Sequence, residues 1–163
     1  MSREKEYFLT SIESNKGIIY KVANSYCRDT DDREDLIQEI ILQLWKTFPS
    51  FNSEFKLSTW MYRIALNVAI SAYRKASKRS KVHQPLSETA IYLDENTGER
   101  NENRDLLQAL IRELKEVDRA LILLYLDGYL YPEIGQMLGI SETNVATKLS
   151  RIKQQLKRKF TAQ

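Results

Sequence analysis

The sequence predicts an all-α fold of two small helical domains joined by a flexible linker. Glycine and proline are scarce, five and three in 163 residues, whereas turn-rich β architectures need many more. Apolar residues recur at three- and four-residue spacing on both sides of the chain's middle, the periodicity of helices with one buried face. Between residues 79 and 103 that periodicity breaks: Pro85, Ser87, Thr89, Asn96, Thr97, Gly98, Asn101 and Asn103 are interspersed with acids, and Ile91, Tyr92 and Leu93 are too few to build a core. The expected organisation is a first domain over 1–78, a linker over 79–103 and a second domain over 104–163. A domain of that second size buries only about 60% of its unfolded surface and is marginal alone.

The first strongly patterned element runs from Asp32 to Phe48. Leu36, Ile37, Ile40, Ile41, Leu44 and Phe48 form its apolar stripe, with Asp31 or Asp32 as cap and Pro49 as stop. The opposite face carries Asp35, Gln38, Glu39, Leu42 and Lys46. A scattered exposed leucine is ordinary, yet a leucine ringed by carboxylates and amides is also how an apolar anchor with a polar rim looks. The acidic run Asp29, Asp31, Asp32, Glu34 fits no calcium loop, because Glu34 stands where glycine is needed and Ile40 where the bidentate glutamate belongs. Magnesium-dependent phosphoryl transfer would need a glycine-rich loop and a second acidic cluster, and the sequence has neither.

The next element begins near Ser58, expected as its N-cap. On a helix, Met61, Ile64, Ala65, Val68 and Ala72 make the core stripe; Trp60, Arg63, Asn67, Ile70, Ser71 and Arg74 take the other side, with Tyr62, Leu66 and Tyr73 between. Aromatics that stack on bases, an amide that reads a base edge and cations that hold phosphates suit unpaired nucleic acid. Packing between helices accounts for Trp60 and Tyr62 as well, and this helix taken alone favours packing.

In the second domain, Leu121 to Leu126 end a helix, with Gly128 in the usual C-terminal position. Pro132 suits the first turn of the following helix, Ile134 and Leu138 face inward, Gly139 makes a turn and Ser141 caps the last helix. This spacing reads as a DNA-binding helix-turn-helix. Val145, Leu149, Ile152, Leu156 and Phe160 form the last helix's buried stripe, so Thr143, Asn144, Thr147, Ser150 and Arg151 are the candidate base readers. Lys148, Lys153, Lys157 and Arg158 are the candidate phosphate contacts.

Charge is distributed to match. The net charge is only +3, but 63–81 holds six bases and no acid, 143–163 holds six more and no acid, and 29–39 holds six acids. One such run is usually a solvated face; two acid-free runs on amphipathic helices favour a polyanionic partner. Cys27 and His83 are each the only residue of their type, which excludes a cysteine zinc cluster, an intramolecular disulfide and a Ser-His-Asp triad. The N-terminal residues lack the apolar stretch of a secretory signal and no run approaches the roughly 20 apolar residues of a membrane span. The reading is a cytoplasmic protein that is not an enzyme, with no catalytic residues, no cofactor and no metal.

Both halves resemble one family, the extracytoplasmic-function group of the sigma-70 family of bacterial RNA polymerase sigma factors. Asp35-Leu36-Ile37-Gln38-Glu39, then Leu44-Trp45, Phe51 and Thr59-Trp60-Met61-Tyr62-Arg63-Ile64-Ala65-Leu66-Asn67 look like sigma region 2; Leu114 through Arg151 looks like region 4. The resemblance implies that Asp35, Gln38, Glu39 and Leu42 bind the β′ clamp helices of core RNA polymerase. It implies a minus-ten DNA set of Phe51, Trp60, Tyr62, Arg63, Asn67 and Arg74, with Phe51, Tyr62 and Asn67 melting the element and holding a flipped base. The minus-thirty-five set is Thr143, Asn144, Ala146, Thr147, Lys148, Ser150 and Arg151. Ala146 stands where the family usually has Lys or Arg, and Ser71 where Asp is common. Further implied partners are the β flap, promoter DNA and an anti-sigma factor, with no membrane insertion and no homo-oligomer. A stand-alone dimeric helix-turn-helix regulator is the alternative, and it has no need of the acidic Leu42 face.

Overall fold

The computed structural model describes residues 2–52, 54–80 and 102–162. All regular structure among them is helical: α1 (Arg3–Tyr26), α2 (Thr30–Thr47), a 3₁₀ turn (Phe48–Ser50), α3 (Leu57–Ser80), α4 (Glu102–Glu113), α5 (Glu116–Leu126), α6 (Tyr131–Leu138) and α7 (Glu142–Thr161). They fall into two compact units, 1–83 and 84–163. Residues 79–80 and 102–103, expected in the linker, belong to α3 and α4. The rest of the expected linker lies outside the described residues.

In the first unit α1, α2 and α3 pack pairwise. Ile19, Val22 and Ala23 of α1 meet Leu36, Ile40 and Leu44 of α2 and Met61, Ala65, Leu66 and Ala69 of α3, all buried. Helix α1 was not foreseen, because its pattern is interrupted. Ser11 and Ser25 are buried within it, and each hydroxyl donates to a carbonyl four residues back, Tyr7 at 2.7 Å and Lys21 at 2.9 Å. At Asn15 the backbone leaves helical geometry (φ −120°, ψ 15°). The Asn15 amide donates to the Ser11 carbonyl at 2.9 Å, the kind of back-bonding that bends helices.

Helices α2 and α3 begin earlier than their expected caps. Helix α2 starts at Thr30, behind Asp29, which makes no side-chain cap bond, so Asp31 and Asp32 lie inside the first turn, where carboxylates favour the helix dipole. Helix α3 starts at Leu57, so Ser58 is within the helix instead of capping it. Pro49 sits in the 3₁₀ turn that ends α2. Ile37 and Ile41 of the α2 stripe, and Ile64, Val68 and Ala72 of α3, are only half-buried.

In the second unit α7 packs against α4, α5 and α6. Val145, Leu149, Ile152 and Leu156 are buried among Leu110, Ile111, Leu121, Leu124, Ile134 and Met137. Phe160, assigned to the same stripe, is 37% exposed. Leu138 is half-buried, while Met137 faces the core. Buried Arg119 donates from Nε to the Leu114 carbonyl at 2.7 Å, satisfying an acceptor just beyond α4. Lys159 pairs with Glu113 at 3.2 Å, tying α7 to the same end of α4.

Candidate protein and nucleic-acid interfaces

Asp35, Gln38, Glu39 and Leu42 are all exposed on α2, and offsets of three, four and seven residues align them on one face. Leu42, at the C-terminal end of this set, is 52% exposed, and Trp45, 42% exposed three residues further on, prolongs the apolar part. Trp45 rests edge-on against Phe8 of α1, centroids 5.0 Å apart. The spacing from Leu42 is the signal that could have placed Trp45 on this face.

Phe48 is the hub of an aromatic cluster at the C-terminal end of α2. Around its ring stand Tyr7 at 5.6 Å, Phe8 at 5.3 Å, Phe51 at 6.5 Å and Trp60 at 6.2 Å. Phe51 and Trp60 face each other at 5.1 Å, both half-buried. From Trp60, the exposed Arg63, Asn67 and Arg74 continue at helical spacing along α3, a line about 21 Å long at the usual helical rise. Lys75, Lys78 and Arg79 extend its positive charge.

Tyr62 does not share this face. It is 1% exposed, because α3 packs against both α1 and α2 and so buries two of its sides. Ile70, expected on the outer side, is buried for the same reason. Tyr62 therefore belongs to the packing of the first unit, and no base reaches its ring without opening the core.

Helix α7 presents Thr143, Asn144, Ala146, Thr147, Ser150 and Arg151 to solvent, with Lys148 half-buried beside them. Ser141 makes the expected cap, its Oγ accepting the Asn144 N–H at 3.1 Å. Gly139 adopts φ +71°, the left-handed conformation the turn requires. Gly135, to which no sequence pattern points, sets the approach of α6 to the turn: a Cβ there would lie 2.7 Å from the Ile140 carbonyl oxygen. Lys153, expected to hold phosphate, instead stands over the Tyr125 ring, Nζ 3.8 Å from its centroid.

No group of three or more His, Cys, Asp or Glu among the described residues could hold a metal ion, and none of the described helices is long and apolar enough to cross a membrane. A helical unit followed by a helix-turn-helix unit, whose last helix is acid-free from Thr143 onward, has the features of a DNA-binding protein. The family model for sigma-70 region 2 matches residues 11–79 and that for sigma-70 region 4 matches residues 104–156. Two Bacillus subtilis (strain 168) proteins are similar over most of their length. RNA polymerase sigma factor SigV is 26% identical, the match covering 90% of this chain and 87% of SigV, and ECF RNA polymerase sigma factor SigW is 26% identical over 96% and 90%. The fold is that of the sigma factor RpoE crystallised with the anti-sigma factor NepR from Bartonella quintana, with a TM-score of 0.70 and 20% identity over 94% of both chains. CnrH in complex with the cytosolic domain of CnrY gives 0.67 and 19%, covering 97% of this chain and 90% of that one. The chain belongs to the extracytoplasmic-function group of the sigma-70 family, and it is a sigma factor.

Proposed function

We propose that this sigma factor docks on the β′ clamp helices of core RNA polymerase through Asp35, Gln38, Glu39 and Leu42. Phe51, Trp60, Arg63, Asn67 and Arg74 engage the opened minus-ten element, and Thr143, Asn144, Ala146, Thr147, Lys148, Ser150 and Arg151 engage the minus-thirty-five element, with the β flap holding the second unit. The observation that carries this reading is the pairing, within one three-helix unit, of an acidic face that ends on an exposed leucine with a basic line that starts at an aromatic cluster. Protein binding and strand opening ask for those two chemistries. In this reading the protein is cytoplasmic and does no catalysis of its own, and an anti-sigma factor restrains it, as the complexes of its structural neighbours suggest.

Reconstitution with bacterial core polymerase and a promoter library tests the proposal. Selected promoters should show permanganate-reactive thymines near minus ten only when this protein is present. Replacing Asn67 or Phe51 by Ala should reduce opening while closed complexes persist, since a flipped base would lose its partner. Normal opening in both variants would return the two residues to structural roles.

A further inference from the structure

Lys153 lies on α7 only two residues beyond Arg151, yet its ammonium turns inward toward two other helices. Nζ stands 3.8 Å from the centroid of the Tyr125 ring, on the last turn of α5, and donates at 3.4 Å to the hydroxyl of Tyr131, the first residue of α6. The two rings are 6.4 Å apart and tilted by 49°. One cation thus joins the three helices that make up the helix-turn-helix and its support. The pKa of Lys153 is held above the ordinary 10.5 by its two tyrosine neighbours, Tyr125 first and then Tyr131, so the group is charged at neutral pH.

The buried stripe of α7 leaves one degree of freedom weakly controlled. Val145, Leu149, Ile152 and Leu156 hold the helix by apolar burial, which is non-directional and resists separation more than a small roll about the helix axis. Side-chain tips lie about 6 Å from a helix axis, so a roll of about 10° moves them by about 1 Å. Recognition constellations need placement to about 0.5 Å. A directional contact on one flank supplies what the stripe does not.

We infer that Lys153 is a positioning residue: clasped by Tyr125 and Tyr131, it fixes the roll of α7 so that Thr147, Ser150 and Arg151 meet base edges together, and it makes no phosphate contact of its own. The inference rests on α7 binding duplex DNA. It separates Lys153 from Lys157 and Arg158, which are exposed on the same helix.

The test uses the full chain and a duplex selected by it from random DNA, with a scrambled duplex as reference, titrated at several salt concentrations. Lys153→Met should lose about 3- to 30-fold in affinity for the selected duplex, the range of a cation–π contact. Its salt slope and its affinity for the scrambled duplex should not change. Lys153→Arg should restore binding, and Tyr131→Phe, which keeps the ring and removes only the hydroxyl, should lose about 2- to 10-fold. A fall of the salt slope by about one in Lys153→Met would make it a phosphate contact and overturn the inference. Unchanged affinity in both Lys153→Met and Tyr131→Phe would overturn it too. Hydrogen exchange across α5 to α7 shows whether each variant is folded; should Lys153→Met unfold, Tyr131→Phe alone decides. If the wild-type chain itself does not distinguish the two duplexes, DNA reading by α7 fails and the inference falls with it, an outcome visible before any variant is made.

Discussion

Gly135 and Ile140 are in contact twice. The Ile140 N–H donates to the Gly135 carbonyl at 3.0 Å, and a Cβ on Gly135 would stand 2.7 Å from the Ile140 carbonyl oxygen. The intruded atom is backbone, so no side-chain rotation relieves it. Gly135→Val should destabilise the second unit by about 1 to 3 kcal/mol, as overpacking does, with little return from helix propensity because valine is β-branched. Hydrogen exchange of α6 and α7 amides should show faster opening, while α1 to α3 keep their protection.

Leu130 precedes α6 at the N-cap position and is 66% exposed. Its N–H donates to Glu133 Oε1 at 2.9 Å, which is half of a capping box; leucine has no acceptor to complete the other half. Leu130→Ser should therefore stabilise the second unit by about 0.5 to 2 kcal/mol, read as a higher denaturation midpoint with unchanged helix content.

How much of this was legible in the sequence follows from how local each feature is. The turn at Gly139, the cap at Ser141 and the first-turn Pro132 depend on a few neighbouring residues, and the structure has them where the sequence puts them. The face of Asp35, Gln38, Glu39 and Leu42 was legible because one apolar stripe defines α2. On α3 the buried surface is wider, two adjacent lines made by Met61, Tyr62, Ala65, Leu66, Ala69 and Ile70 where α2 buries one, so Ile70, expected on the outer side, and Tyr62, expected at the boundary, both lie in the core. Lys153 and Gly135 were invisible for a further reason: what they touch lies on other segments, at Tyr125, Tyr131 and Ile140.

Tyr62 separates packing from DNA contact. Tyr62→Ala should cost about 3 to 5 kcal/mol, as loss of a buried ring does, and reduce the amount of folded first unit. Tyr62→Phe keeps the ring. It should retain promoter opening in the permanganate assay once protein is matched for folded fraction; lost opening in a fully folded Tyr62→Phe would restore a direct role for its hydroxyl.

Leu42→Ala and Asp35→Ala should each weaken core polymerase binding by about 1 to 3 kcal/mol, the range of central interface anchors. Both side chains face solvent, so circular dichroism should not change. Unaltered affinity in a direct titration would remove this face from the model.

Arg151 and Lys157 are both exposed cations on α7, but Arg151 is nearer the N-terminal turns, the part of a recognition helix that meets base edges in the proposed reading. Arg151→Ala should cost about 1 to 3 kcal/mol and relax preference at one position of the upstream element. Lys157→Ala should weaken all sites about equally and lower the salt slope by roughly one. Site selection from random DNA distinguishes them, and a uniform loss for Arg151→Ala would make it a second phosphate contact.

Helix α7 divides its labour between two sides. Val145, Leu149, Ile152 and Leu156 carry the packing, while Thr143, Asn144, Ala146, Thr147, Ser150 and Arg151 touch solvent. Exchanges at exposed positions typically change stability by no more than about 0.5 kcal/mol. Mutation can therefore explore this outward surface with little cost to folding, and, with α7 reading DNA as proposed, descendants of this gene can diverge in what they recognise without first passing through poorly folded intermediates.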